Sequence, residues 1–163
     1  MGAVALVSTL TISGSYTKAL DLTTPKESVS LQFPSGGQSY LNGPGSEQGN
    51  LFFADRRSLV ATLETIDLTS TLKDAFGDTM ALAKIKEIII INNETGTGKN
   101  LTLSGNALVA FGAGGNETVG PKGVFHRSSP IDGFTITNTT QDQLTIDAGA
   151  NTISYDLIII GNT

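Results

Sequence analysis

The chain has 163 residues, no cysteine, a formal net charge of −5, and only 15% charged residues. A chain of this length buries about 70% of its unfolded surface, so a single core without disulfides is expected. Lys and Arg are dispersed, with one basic doublet at Arg56-Arg57. Binding to nucleic acid through counterion release requires clustered positive charge, so no nucleic-acid partner is expected. Apolar runs such as residues 88–91 are far too short for a bilayer, so no membrane partner is expected.

The first 50 residues combine strand patterns with a long polar stretch. Residues 4–12 predict a first strand, and residues 29–33 alternate apolar and polar side chains, as a half-buried strand does. Residues 34–50 are mostly Gly, Pro, Ser, Asn and Gln, which predicts a long loop or a partner-contacting arm that orders on docking. We expect residues 1–50 to hold these strands and this arm within the same domain as a core of residues 51–163.

Two further strands and one helix are predicted next. Residues 51–54 and 58–68 favour strands, the second with an imperfect alternation that suggests burial on both faces or a bulge. A helix is predicted over about residues 70–76. Leu72, Ala75 and Phe76 lie at helical spacing, Thr69 or Ser70 offers an N-cap, and Gly77 occupies the C′ position.

Isoleucine dominates the centre of the chain. Residues 84–91 include four consecutive isoleucines, which favour a central strand buried on both faces, because β-branched side chains suit sheet better than helix. Residues 92–100 predict a turn, and residues 101–103 are expected to pair with the strand at 84–91 in a hairpin. Residues 107–111 predict another short strand.

The C-terminal half repeats short strand patterns at roughly ten-residue spacing, over residues 124–127, 133–137, 143–147 and 153–160. This spacing predicts an antiparallel sandwich or barrel. The fold class we predict is therefore all-β: a single antiparallel, jelly-roll-like sandwich of about 8–10 strands with one short helix.

Three features resemble parts of known functional motifs, but none of them completes its motif. Residues 96–99, Gly-Thr-Gly-Lys, resemble a phosphate loop, but Asn93 and Asn100 occupy positions where that motif needs Gly and Ser or Thr. His126 is the only histidine, and no Gly-x-Ser-x-Gly motif accompanies it. Asp67, Asp74 and Asp78 do not match a calcium-loop spacing. We therefore expect no catalytic, cofactor-binding or metal-binding residues and a protein that is not an enzyme.

From about Leu51 onward, the sequence resembles small virion proteins of tailed bacteriophages, of the capsid decoration (cement) class. The resemblance extends over about two thirds of the chain and is carried by several short segments. They are Ala-Asp-Arg-Arg at 54–57, Thr-Ile-Asp-Leu-Thr at 65–69, Leu-Lys-Asp-Ala-Phe-Gly-Asp at 72–78, residues 83–90, residues 101–103 and residues 154–161.

The resemblance implies a jelly roll that assembles as a homotrimer on the capsid exterior and clamps the shell of the major capsid protein. An alternative is a receptor- or glycan-binding jelly-roll module of a phage fibre or tail, with ligands in the loops 112–123 or 128–133. A hydrolase whose acidic residues converge in the fold is a third hypothesis, weakened by the absence of tryptophan and the presence of only three tyrosines.

Overall fold

The computed structural model describes residues 6–8, 13–19, 26–32, 38–73 and 77–163, with side chains from Tyr40 onward. About half of them lie in strands, and one helical turn is present. The elements are β1 (Leu6–Ser8), β2 (Ser13–Ala19), β3 (Lys26–Gln32), β4 (Gln38–Tyr40), β5 (Leu51–Val60), β6 (Leu63–Asp67), β7 (Lys84–Asn92), β8 (Leu101–Ser104), α1 (Ala107–Ala110), β9 (Glu117–Val119), β10 (Val124–Ser128), β11 (Phe134–Thr135), β12 (Gln143–Asp147) and β13 (Thr152–Asn162).

Two antiparallel sheets make up the body of the fold. The five-stranded sheet has the order β10-β7-β13-β5, with β11 also pairing with β7. The four-stranded sheet has the order β6-β12-β8-β9. Two shorter ladders, β1-β4 and β2-β3, involve the N-terminal strands. The predicted all-β class with antiparallel sheets is confirmed.

The hydrophobic core lies between these two sheets. Strands β7 and β13 contribute side chains from one sheet, and β8 and β12 contribute from the other. The central members, all 0% exposed, are Ile88, Ile90, Leu157, Ile159, Leu101, Leu103, Leu144 and Ile146. Each buried aliphatic side chain of this size stabilises the fold by about 1.5–3 kcal/mol relative to exposure. Packing between the sheets is therefore the main source of stability.

Strand β7 is central, as the isoleucine run predicted, but only one of its faces is fully buried along the run. Ile88 and Ile90 are buried in the core, whereas Ile89 and Ile91 are half-buried on the other face. Successive side chains of a strand point to opposite faces, and the second face of this sheet is the outside of the sandwich. The prediction of burial on both faces is thus too strong for Ile89 and Ile91.

A β-bulge interrupts β7 at Lys86. Ile160 pairs with Glu87 and Gly161 pairs with Ile85, so Lys86 has no partner in β13. The Lys86 side chain is buried, and its Nζ donates to the Ile131 carbonyl at 2.8 Å. Burial lowers the pKa of this lysine. The extra residue reverses the alternation, which places Ile85 on the core side together with Ile88.

The helix predicted over residues 70–76 is wrong over its described part, and residues 74–76 lie outside the described residues. Residues 68–71 form a turn instead, and Lys73 forms an isolated bridge with Thr79. Asp67 captures the local donors, as its side chain accepts from the Thr69 N–H at 2.8 Å and from the Ser70 hydroxyl at 2.7 Å. Asp, Ser and Thr side chains that bond to the nearby backbone compete with the hydrogen bonds of a helix, and here they stabilise the turn instead.

The strand predicted over residues 107–111 is also wrong, because α1 occupies Ala107–Ala110. Ala107 and Leu108 bury their side chains in the core, and Asn106 ties the turn to β12 by accepting from the Gln143 N–H at 2.7 Å. A four-residue apolar run has no periodicity that separates one helical turn from a short strand.

Two strand connections also differ from the predictions. The strand predicted over residues 58–68 is two strands in different sheets, because the chain turns at Ala61, whose φ is +48°. Strand β5 in turn runs unbroken through the Asp-Arg-Arg segment. The hairpin predicted across residues 92–100 does not form, since β8 pairs with β12 and β9. That segment instead crosses from one sheet to the other.

Part of the predicted loop or arm is a strand and a closed loop. Residues 38–40 form β4, residues 33–37 lie outside the described residues, and residues 41–50 fold back on themselves, with the Gly49 N–H donating to the Leu41 carbonyl at 2.9 Å. This loop is tied to the sandwich by the Glu47 N–H, which donates to the Pro130 carbonyl, and by Asn162, which donates to the Pro44 carbonyl. Membership of all of residues 1–50 in the same domain stays a prediction.

Candidate interaction surface

The side of the five-stranded sheet that faces away from the core is the first candidate surface, here called the outer face. Its members follow from the strand registers, which place them opposite one another on the side that excludes Ile88 and Ile90. They are Phe52, Ala54, Arg56, Ser58 and Val60 of β5, Ser154, Asp156, Ile158 and Ile160 of β13, Glu87, Ile89 and Ile91 of β7, and Val124, His126 and Ser128 of β10.

The outer face is unusually apolar for the exterior of a sandwich. Phe52, Val60 and Val124 are 45%, 67% and 54% exposed. Half-buried isoleucines occupy adjacent register positions, with Ile158 opposite Ile89 and Ile91 opposite Val124, whereas Ser58 and Ser154 separate Val60 from them. Single exposed apolar residues are ordinary, but contiguous ones mark interaction sites.

One ion pair crosses this face. Arg56 donates from Nε and from the second guanidinium nitrogen to the two carboxylate oxygens of Asp156, at 2.6 and 3.0 Å. The hydrogen bond from Arg56 lowers the pKa of Asp156, and the same contact raises the pKa of Arg56. Ala54, Asp55 and Ile158 line an open depression around the pair. This two-point contact holds the guanidinium plane in a fixed orientation.

One end of the outer face is covered by Tyr40 of β4. The buried Tyr40 hydroxyl donates to Glu87 Oε2 at 3.2 Å, and His126 Nε2 lies 2.9 Å from Glu87 Oε1. Burial is the main cause of the raised pKa of Tyr40. His126, the single histidine, is thus part of a Tyr–Glu–His network that connects β4, β7 and β10.

The edge of the sandwich beside β5 holds a second group of charges. Arg57 donates to Glu64 Oε2 of β6 at 2.7 Å and to Asp55 Oδ2 at 3.2 Å. Its guanidinium lies 5.4 Å from the centre of the Phe53 ring. These contacts connect the edge strands of the two sheets. They hold the Arg57 guanidinium between two carboxylates and the Phe53 ring.

The phosphate-loop-like segment lies in the connection from β7 to β8. Lys99 Nζ donates to Glu94 Oε2 at 2.7 Å, and Glu94 Oε1 accepts from the Ser154 N–H at 3.0 Å. The hydrogen bond from Lys99 lowers the pKa of Glu94. Glu94 therefore links this connection to β13, and Lys99 holds the Glu94 carboxylate in place.

The three aspartates considered for calcium do not come together in the described residues. Asp67 caps the turn after β6, Asp78 is exposed, and Asp74 lies outside the described residues. Among the residues that the structure describes, no group of three His, Asp or Glu side chains could hold a metal ion.

Asp67 provides a test of pH dependence. Hydrogen bonds from Thr69 and Ser70 lower its pKa, so it stabilises the fold above its unfolded pKa of about 3.9 and loses this effect as the pH falls through the folded value. We expect Asp67→Asn to lower the free energy of unfolding at pH 7 by about 1 kcal/mol and to weaken the decline of stability below pH 4. Thermal unfolding followed by circular dichroism at pH 7, 5 and 3 measures both. An unchanged acid slope in the variant would contradict the assignment.

The two loops considered for ligand binding are both partly ordered by backbone contacts. Residues 112–123 include β9, which pairs with β8. Residues 128–133 are held by Lys84 and Lys86, whose Nζ atoms donate to the carbonyls of Asp132 and Ile131. Ile131 at the tip is 63% exposed.

Glu87, Tyr40 and the β5 edge were not identified from the sequence. The available signal was the charged pair Lys86 and Glu87, which interrupts the isoleucine run between Ile85 and Ile88. The structure shows that both of these side chains are buried.

The fold and this surface define a two-sheet antiparallel β sandwich with an apolar, ion-paired outer face. Comparison of the chain with protein-family models, with curated proteins and with solved structures found no match. In the described part of the chain, no helix has the length and apolar character needed to cross a membrane.

Proposed function

We propose that this protein is a non-enzymatic structural component of a virion, which decorates and stabilises a tailed-phage capsid from outside. It binds as an oligomer over the shell of the major capsid protein, and the sequence resemblance implies a homotrimer. The observation that carries the proposal is the outer face, because a contiguous, half-exposed apolar surface suits docking onto a large partner.

We also propose that the sandwich is a jelly roll. The strand order supports this, since β5, β13, β7 and β10 form one sheet and β6, β12, β8 and β9 form the other. Successive strands of this set change sheet at each connection except that between β8 and β9, a pattern that suits two interleaved Greek keys. Strand β11 is an addition beside β10.

Binding to capsids tests the function. The purified protein is mixed with heads assembled from the major capsid protein of the same genome, and the heads are pelleted. We expect co-sedimentation at a fixed stoichiometry, together with heads that withstand higher temperature than bare heads, because a bound protein stabilises what it binds.

Two matched variants show whether the outer face is the docking surface. Val124→Glu places a charge on the outer face, and Val109→Glu places the same charge on α1, where Val109 is 62% exposed. We expect Val124→Glu to weaken binding at least about tenfold, since a buried unpaired carboxylate is costly, and Val109→Glu to bind as the unmodified protein does. Failure of the unmodified protein to bind heads contradicts the function, and equal binding by both variants contradicts the docking surface.

The alternative function, a receptor- or glycan-binding module, rests on the exposed tip at Ile131 in the loop of residues 128–133. A glycan array distinguishes the two. Specific glycan binding without binding to heads favours the alternative.

A further inference from the structure

Strand β5 ends the five-stranded sheet with an unpaired edge. Over its ten residues it pairs with β13, and no other strand of the described residues pairs with it. Six of those ten residues are exposed. A long free edge is a template for pairing with another chain unless it is covered or blocked.

The hydrogen-bonding groups of this edge can be assigned to individual residues. The Ala61 N–H donates to the Asn151 carbonyl, and the Asn93 N–H donates to the Ser154 carbonyl, so odd-numbered residues of β13 bond to β5 and even-numbered ones bond to β7. By register, the odd-numbered residues of β5 therefore bond to β13. The amides and carbonyls that face the open edge belong to Phe52, Ala54, Arg56, Ser58 and Val60.

We propose that two copies of this chain pair through β5, antiparallel to each other, around a two-fold axis that passes through Arg56. Pairing of this kind extends the five-stranded sheet of one copy into that of the other. The five open amides and five open carbonyls of each strand then supply donors and acceptors for the partner.

The β5 sequence is self-complementary around Arg56. An axis perpendicular to the sheet keeps each face on its own side, so only residues of the same face lie opposite one another. The resulting pairs are Asp55 with the partner's Arg57, Ala54 with the partner's Ser58, Phe53 with the partner's Leu59, and Phe52 with the partner's Val60. Opposite charges and apolar side chains are both matched, and such cross-strand pairs stabilise sheets.

Neighbouring registers lack this match. With the axis at Asp55, two aspartates lie opposite each other and Phe52 faces a serine. With the axis at Arg57, two arginines meet and Asp55 faces Leu59. Like charges directly opposite each other are destabilising, and only the register centred on Arg56 sets Asp55 opposite the partner's Arg57 and Phe52 opposite the partner's Val60.

The two central arginines of the selected register do not meet as free charges. Each Arg56 is held by its own Asp156 through two hydrogen bonds, at 2.6 and 3.0 Å. The pair is close to neutral, and its hydrogen bonds hold each Arg56 guanidinium against Asp156 of its own β13. Phe52 and Val60, among the most exposed apolar residues of the described chain, become covered by each other.

This contact does not depend on the proposed capsid function. A two-fold contact is closed and uses the same surface on both copies. It gives a dimer where it is the only contact, and it joins two trimers into a hexamer where a three-fold contact exists as well. In both cases, breaking it halves the mass of the assembly.

Charge reversal with rescue tests the pairing. Asp55→Arg places arginine opposite the partner's Arg57, and Arg57→Glu places glutamate opposite the partner's Asp55, so each variant repels its own copies. In a mixture of the two variants, both pairs are again oppositely charged. The purified full chain, each variant and the equimolar mixture are studied by light scattering and sedimentation over a concentration series.

We expect the unmodified chain and the mixture to have twice the mass of either variant alone, with self-association of each variant weakened at least about tenfold by the opposed charges. Ser58→Pro provides a second test, since it removes an amide of the open edge without removing a bond to β13, and it should also halve the mass. Unfolding temperatures confirm that each variant is folded.

Several outcomes overturn the inference. They are a monomer at all concentrations, an assembly whose mass none of the variants changes, and a mixture that stays at half mass. A trimer insensitive to all three variants overturns this contact but not the capsid function. A variant-sensitive dimer that does not bind heads overturns the capsid function but not this contact.

Discussion

Gly105→Ala is expected to destabilise the fold by about 3 kcal/mol or more, one of the two largest effects we predict. Gly105 has a φ of +101°, a conformation that residues with a Cβ rarely adopt. A Cβ at this position would lie 2.2 Å from the Gln143 carbonyl oxygen and 3.2 Å from the Thr145 amide nitrogen. Both are backbone atoms of β12, so no side chain can move aside, and β8 or β12 must shift.

Chemical denaturation of Gly105→Ala and of Gly98→Ala measures this effect against a matched control. Gly98 has a φ of +79° with no atom near its would-be Cβ, so its substitution incurs the conformational strain alone, about 1 kcal/mol. Equal losses in the two variants would show that the approach of β12 to Gly105 is not tight.

Ile159→Ala is expected to lower the free energy of unfolding by about 2–5 kcal/mol. Ile159 is fully buried in the centre of β13, where it lies opposite Ile88 on one side and Phe53 on the other. Removing its outer carbons leaves a cavity in the core between the two sheets. The strands cannot move in to fill it without distorting their hydrogen-bonded ladder.

The same substitution at Ile131, which is 63% exposed, provides the control and should change stability by less than about 0.5 kcal/mol. Urea titration of both variants at constant m-value gives the comparison. A loss below about 1 kcal/mol for Ile159→Ala would mean that the space between the sheets is not closely packed.

The strands predicted most accurately are those with strong local patterns. β7, β10, β12 and β13 were each predicted to within two residues at either end, because long β-branched runs and strict alternation favour strand over helix. The sandwich class followed from the spacing of these runs along the chain.

The errors occurred where local preference was weak. Residues 70–73 had a helical spacing and good caps, but the Asp67 side chain and the Lys73–Thr79 bridge provide competing contacts. At Ala107–Ala110, four apolar residues adopt a helical turn because burial of Leu108 and the link from Asn106 to β12 decide the conformation. Propensity differences of about 1 kcal/mol or less per residue are readily overridden by such packing.

The candidate surfaces were less accessible to prediction than the fold. No catalytic role was expected for His126, and the structure places it against Glu87. The chemistry-like segment at residues 96–99 lies in a connection between sheets. The apolar character of the outer face was visible as four consecutive isoleucines, but only the strand registers show that two of them face outward.

Sequence alone determined that this chain forms short antiparallel strands around one aliphatic core, because alternation and β-branching act within a few residues and need no knowledge of distant contacts. Tertiary structure decided which strands pair, which face of β7 is covered, and that β5 ends a sheet with no further strand of the described residues beside it. Those outcomes depend on contacts between residues a hundred or more positions apart, such as Arg56 with Asp156 and Asn162 with Pro44. Local propensity carries no information about such contacts.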